Sequence, residues 1–149
     1  MKIVVFAIGK PKSEAVCSLV NEYSKRMRRF APFEVVCFRD EEKVLSNIDR
    51  QDFLVALDEH GRNIDSRELS KFISGHQMNG TKRIVFFIGG ENGVGDVIRK
   101  RSNLILSLSK MTFPHELVQV IISEQIYRAY TILSGGPYHR GLDKSRDRL

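Results

Sequence analysis

The sequence predicts an α/β fold with a mostly parallel sheet flanked by helices, and three observations carry that prediction. Strand-like and helix-like segments alternate along the chain, the pattern of βαβ units. The strand-like segments are Val-, Ile- and Phe-rich runs with little polar alternation, as strands buried on both faces require. Three of them end in loops that could hold a ligand, outside the carboxyl ends of the strands.

Lys2–Ile8 reads as the first buried strand, and Gly9 to Lys12 as a turn. Ser13 is a good N-cap for a helix running to about Arg29, with Val16, Leu19, Val20, Tyr23 and Met27 on its apolar side. Ala31-Pro32 stops that helix, and Phe33–Phe38 is the second strand. Segment 40–51 is polar, with a short helical pattern around Val44, Leu45 and Ile48. Segment 52–57 is the third strand, and Asp58-Glu59-His60-Gly61 reads as a turn. Asp65 with Glu68 forms a capping-box pattern, opening a helix to about Gln77 that Asn79-Gly80 ends. The fourth strand, 84–88, leads into the glycine-rich loop 89–95. A short helix over 94–101 and a fifth strand, 104–108, follow. After a loop over 109–114, a long helix spans His115–Leu133, and Ser134-Gly135-Gly136-Pro137 breaks it.

The 149 residues suit one domain, here 1–140, followed by a basic extension, 141–149. Hydrophobic residues at 42% and charged residues at 28% are ordinary for a globular protein. No run of about 18 apolar residues is present, so no membrane span is expected. The apolar start passes directly into Lys10-Pro11-Lys12, which does not suit a signal peptide, and a cytoplasmic location is expected. Cys17 and Cys37 are expected as buried, reduced thiols. The long helix is apolar on more than one face, so a partner subunit is expected to cover one side.

The net charge of +6 is compatible with nucleic acid but weak evidence alone. Lys25, Arg26, Arg28 and Arg29 form one basic cluster, and Arg99, Lys100 and Arg101 a second. Arg140, Lys144, Arg146 and Arg148 stud the C-terminus. For the first two clusters, solvated faces and compensation of helix C-termini are an equally good explanation.

The loop Gly89-Gly90-Glu91-Asn92-Gly93-Val94-Gly95 is the strongest local signal for a ligand, because glycines let backbone amides approach one closely. Gly90 is the position where a branched side chain is expected to obstruct binding. The loop is not a Walker A motif, since Asp96 stands where Lys-Ser/Thr is needed. The second signal is Leu108-Ser109-Lys110-Met111-Thr112-Phe113-Pro114-His115, which could pack a flat heterocycle or be an ordinary turn before a helix. His60, His76, His115 and His139 have no metal-ligand spacing, so no metal is expected. Tyr138-His139-Arg140 combines a stacking ring, an imidazole and a guanidinium, a set suited to an extruded RNA base or to a frayed basic terminus.

Taken in order, IGK, VALDEHG, FFIGGENG and LSLSKMTFPHELVQVIISEQIYRAYTILSGGPYHR resemble the SPOUT-class methyltransferases of the RlmH type, from Met1 to about Arg140. The resemblance implies a C-terminal trefoil knot, S-adenosylmethionine as cofactor, and a homodimer with its cofactor sites at the interface. It implies methylation at N3 of a pseudouridine in 23S ribosomal RNA (rRNA), on the assembled ribosome. The family's cofactor contacts map to Leu57, Gly89 and Gly90, and to Leu108, Ser109, Lys110, Met111, Thr112, Phe113, Pro114 and His115. Its C-terminal catalytic motif maps to Tyr138, His139 and Arg140, expected to be positioned by substrate or by the partner subunit. His139 is the candidate acceptor for the N3 proton, and Arg128 and Arg140 are candidate phosphate ligands. The chain departs from the family pattern in the short segment 40–51, in Glu91, and in the residues after Arg140. The alternatives are a non-catalytic ribosome- or RNA-binding protein of the same fold, or a knotted methyltransferase acting on transfer RNA.

Overall fold

The computed structural model describes residues 1–140; the basic extension proposed for 141–149 lies outside the described residues. Its elements are β1 (Lys2–Ile8), α1 (Glu14–Met27), β2 (Phe33–Phe38), α2 (Glu41–Leu45), β3 (Phe53–Asn63), α3 (Ser66–Met78), β4 (Arg83–Ile88), α4 (Asp96–Arg101), β5 (Leu104–Ser107) and α5 (His115–Leu133). The five strands form one sheet in the order β2-β1-β4-β3-β5, and every pairing is parallel.

Alternation along each strand explains why the strands read as unbroken apolar runs. Ile3, Val5, Ala7, Ile84, Phe86 and Ile88 enter one core with Met27, Leu69, Ile73, Ile122 and Ile126, under α1, α3 and α5. Val4, Phe6, Val85, Phe87, Leu54 and Ala56 enter the other, with Val44 of α2 and Ile98 of α4. Both faces are covered, so no strand needs a polar row. The helix ends follow local chemistry. The Ser13 hydroxyl accepts from the Val16 amide, and Asp65 and Glu68 close a reciprocal capping box.

The segment expected as a turn after the third strand is strand. β3 continues to Asn63, and the register against β5 slips so that Leu57 and Arg62 both face Leu106. The intervening residues form a bulge, which carries Asp58, Glu59 and His60 to the end of the sheet. Gly61 permits it, because a Cβ there would lie 2.7 Å from the carbonyl carbon of Ile105. A polar Asp-Glu-His-Gly run looks like a turn locally; pairing with the edge strand overrides that preference.

One further expectation is corrected. Cys17 is exposed on α1, whereas Cys37 is half-buried, and burial pushes its thiol up from the ordinary cysteine range. On the long helix, Ile122 is fully enclosed by its own protomer.

At the opposite end of the sheet from the ligand loops, Arg83 donates to both carboxylate oxygens of Asp52. Burial opposes ionisation of Asp52, but Arg83 and the Asp49 amide overcome it and hold the carboxyl below the usual range. A depressed folded-state pKa contributes stability that is present above the unfolded value and lost as pH falls through the folded one. Asp52→Asn should therefore lower stability by roughly 2 kcal/mol at neutral pH, and the gap from wild type should close in acid. Denaturant titrations at several pH values check this; a gap independent of pH would show that the pair's charge is irrelevant.

Candidate functional site

The carboxyl ends of β3, β4 and β5 deliver three loops to one cleft of about 660 Å³. From β3 come Leu57 and the bulge residues Asp58, Glu59 and His60. From β4 come Ile88 and the loop over 89–94, and from β5 come Leu108, Ser109, Met111, Thr112, Phe113 and Pro114. His115 and Val118 of α5 close the wall. Of the cofactor residues expected from the sequence, Leu57, Gly89, Gly90, Leu108, Ser109, Met111, Thr112, Phe113, Pro114 and His115 all line the cleft; Lys110 is exposed and does not.

The glycine loop is a tight turn. The Gly93 amide donates to the Gly90 carbonyl at 3.0 Å, and Gly93 has φ of +74°. The turn folds back on Gly89, where a Cβ would lie 2.3 Å from the Gly93 oxygen. At Gly90 a Cβ would meet only the Ile8 side chain, at 3.2 Å. The position least able to accept a side chain is thus Gly89, one residue before the one expected. Gly95 donates its amide to Glu41 at 2.9 Å, anchoring the far end of the loop to α2.

The β5 loop is also held. The Met111 amide donates to the Ser109 hydroxyl at 3.0 Å, and the Thr112 hydroxyl donates to Glu59 across the cleft. Asp58 accepts from the His60 amide at 2.8 Å and from Arg99 at 2.6 Å, contacts that together hold its carboxyl below the ordinary range. Arg99 thereby supports the cleft wall. Arg101 donates to the Asp49 and Asp52 carbonyls and to Asn103. Two of the three side chains in the second basic cluster are therefore tied into the fold. Asp58, Glu59 and His60 were missed as site residues because their run reads as a turn; their place just after a strand's carboxyl end was the usable signal.

Tyr138, His139 and Arg140 lie elsewhere. The Tyr138 ring packs edge-on against Tyr127, with 4.9 Å between centroids, and its hydroxyl donates to Glu124 at 3.1 Å. Burial first, then contact with Tyr23 and the Glu124 carboxylate, hold the Tyr138 phenol protonated, well above the ordinary tyrosine range. His139 Nδ1 is 3.0 Å from Arg128, and Arg140 is exposed, donating to the Pro137 carbonyl. Tyr138 and His139 thus dock on α5 of their own chain, contrary to the expectation that substrate or a partner must position them. Arg128, a candidate phosphate ligand, is paired with Glu124 at 2.6 Å. Val118 lines the cleft, whereas the tail is held at Glu124 and Arg128, six and ten residues further along the helix, or roughly 9 and 15 Å, and no tail residue lines the cleft. Within one protomer the cleft and the tail are therefore separate.

Among the described residues there is no group of three or more His, Cys, Asp or Glu side chains that could hold a metal ion, and no helix long and apolar enough to cross a membrane.

Residues 1–139 match a family model described as "Predicted SPOUT methyltransferase". The ribosomal RNA large subunit methyltransferase H of Koribacter versatilis (strain Ellin345) is 41% identical over 145 residues, covering 95% of this chain and 99% of that one. The protein of the same name from Clostridium botulinum (strain Alaska E43 / Type E3) is 37% identical over 159 residues, covering 94% of this chain and 100% of its own. Among solved structures, the SpoU methyltransferase AviRb from Streptomyces viridochromogenes, in complex with the cofactor AdoMet, matches with a TM-score of 0.54 at 14% identity. That match covers 90% of this chain and 61% of the other, and is a likeness of fold.

Proposed function

Because this chain belongs to the SPOUT methyltransferase family, we propose that it methylates large-subunit rRNA with S-adenosylmethionine, at N3 of a pseudouridine in 23S rRNA on the assembled ribosome. The observation that carries this reading is the cleft, which gathers all but one of the cofactor residues expected from sequence. Such a reaction belongs with ribosomes, in the cytoplasm.

The cleft suits the cofactor. Its volume is in the range of small-molecule sites. Leu57, Ile88, Leu108 and Val118 offer an apolar wall for a heterocycle, and the carboxylates of Glu59 and Glu91 stand where a cationic ligand would be balanced. The bare Gly89-Gly90 backbone lets the chain approach a ligand closely. Bound there, S-adenosylmethionine supplies an electrophilic methyl group on a sulfonium. The chain's contribution is then mainly positioning. Thr112 and Glu59 tie the β5 loop to the β3 bulge, so two walls of the cleft hold each other in place. Tyr138, its hydroxyl engaged by Glu124, offers its ring to the base, and Arg140 engages phosphate.

The homodimer completes this arrangement. No tail residue lines its own cleft, so a second copy supplies the tail. The outward row on α5 fits such an interface: Leu117 is 45% exposed, and Val120, Ile121 and Ile132 are half-buried. Ile121→Glu places a charge in that row without entering the monomer core, and should convert dimer to monomer at micromolar concentration in sedimentation. Wild-type protein sedimenting as a monomer would remove the interface.

The direct test incubates the protein with methyl-labelled S-adenosylmethionine and ribosomes lacking the modification, then maps the label. A single labelled pseudouridine in 23S rRNA is expected. Label confined to transfer RNA, or none with the cofactor bound, would overturn the reading in favour of a different substrate or of a non-catalytic RNA-binding protein.

A further inference from the structure

The contacts around the tail contain more than a docking site. Glu124 Oε1 accepts from Arg128 Nε at 2.8 Å and from Arg128 Nη2 at 2.6 Å. The same oxygen accepts from the Tyr138 hydroxyl at 3.1 Å, and Glu124 Oε2 accepts from Gln125 at 2.8 Å. The guanidinium lies 4.8 Å from the Tyr138 ring centroid, a cation–π contact. With Nε and Nη2 engaged, the remaining edge faces the tail, and Nη1 lies 3.0 Å from His139 Nδ1.

That last contact has a direction. A guanidinium carries donors and no acceptor, so the His139 Nδ1 facing it must hold a lone pair. The ring proton is then on Nε2, and the only lone pair that could take a proton already faces a cation.

We propose that Arg128, clamped by Glu124, is a positioning residue that fixes His139 as the Nε2-protonated tautomer, so that His139 meets the substrate base as a hydrogen-bond donor. This rests on the reading that the tail acts at the methyl-transfer site. The Nε2–H suits a carbonyl oxygen, and N3 of a pseudouridine is flanked by two. Donation to either carbonyl draws charge from the ring and favours loss of the N3 proton, which goes to solvent water. In this proposal His139 orients and polarises, in place of accepting the proton.

The test has two arms. Two-bond proton–nitrogen correlation spectra of protein labelled at the histidine nitrogens report the tautomer directly, with His139→Gln assigning the signal. Wild type should show an acceptor-type Nδ1 and a protonated Nε2, and Arg128→Met should shift both toward averaged tautomers. A protonated Nδ1 in wild type would overturn the proposal, whether or not Arg128→Met folds.

The second arm is activity on unmodified ribosomes. His139→Gln keeps an N–H near Nε2 but cannot act as a base, and should stay within about tenfold of wild-type kcat, the effect of one weakened hydrogen bond. His139→Ala should lose at least about a hundredfold in kcat with KM for S-adenosylmethionine unchanged. If glutamine is as inactive as alanine, His139 is the base and the proposal fails. Full activity in the alanine variant would instead remove the tail from the active site, a failure of the underlying reading.

Discussion

Gly89→Ala should abolish binding of S-adenosylmethionine while leaving the protein folded. The added Cβ would lie 2.3 Å from the Gly93 carbonyl oxygen and 2.5 Å from its carbon, and both are backbone atoms. A side-chain neighbour could rotate away; this one can move only if the 90–93 turn opens. That turn is itself fixed by the Gly93-to-Gly90 hydrogen bond and, beyond it, by the anchor of Gly95 on Glu41. Opening it displaces the cleft wall by more than a ligand contact tolerates. A loss of at least about 3 kcal/mol, or a hundredfold in affinity, is expected by calorimetry. Gly75→Ala is the matched control, because its Cβ meets nothing within 4 Å, and it should bind as wild type does. Wild-type affinity in Gly89→Ala would take this loop out of the site.

Much of the fold was legible because its determinants are local. Ser13 and Asp65 mark helix starts through their own hydroxyl and carboxylate, and the apolar runs of β1 and β4 announce strands buried on both faces. The glycine loop that lines the cleft was legible for a related reason: glycine is needed where backbone meets backbone, and the sequence displays it. What escaped was non-local. No local pattern shows that Asp58, Glu59 and His60 continue a strand, because the pairing that makes them strand comes from β5, more than forty residues later. Nor could the sequence show that Arg128 packs between Glu124 and His139. Helical spacing puts Glu124 and Arg128 on neighbouring turns, but the return of the tail onto that face is a tertiary event. The second basic cluster was left open by the sequence for the same reason, since Arg99 and Arg101 are tied to partners distant in sequence.

Deleting the chain after Gly136 should leave a folded protein that binds S-adenosylmethionine and transfers no methyl group. The core under α5 is built from Ile122, Ile126 and Ala129, none of which the deletion touches. Tyr138 is only half-buried at the margin, so its ring contact with Tyr127 contributes about 1 kcal/mol. No tail residue lines the cleft, which should keep its affinity. Methyl transfer, by contrast, loses the stacking ring, the oriented imidazole and the exposed Arg140 together, and a fall of about a thousandfold or more is expected. Within the full-length chain, Arg140→Ala should weaken ribosome engagement and flatten its dependence on salt. Combining the deletion with the loop variant separates two geometries. The truncated chain has a sound cleft and no tail; Gly89→Ala has a sound tail and no cleft. If tails serve their own protomer, a mixture of the two is as inactive as either alone. If a tail completes the partner's cleft, mixed dimers each assemble one complete site, and activity returns when the two chains are co-expressed. Recovery is the expected result, and its absence, with mixed dimers present, would mean that the tail serves its own protomer or lies outside the active site.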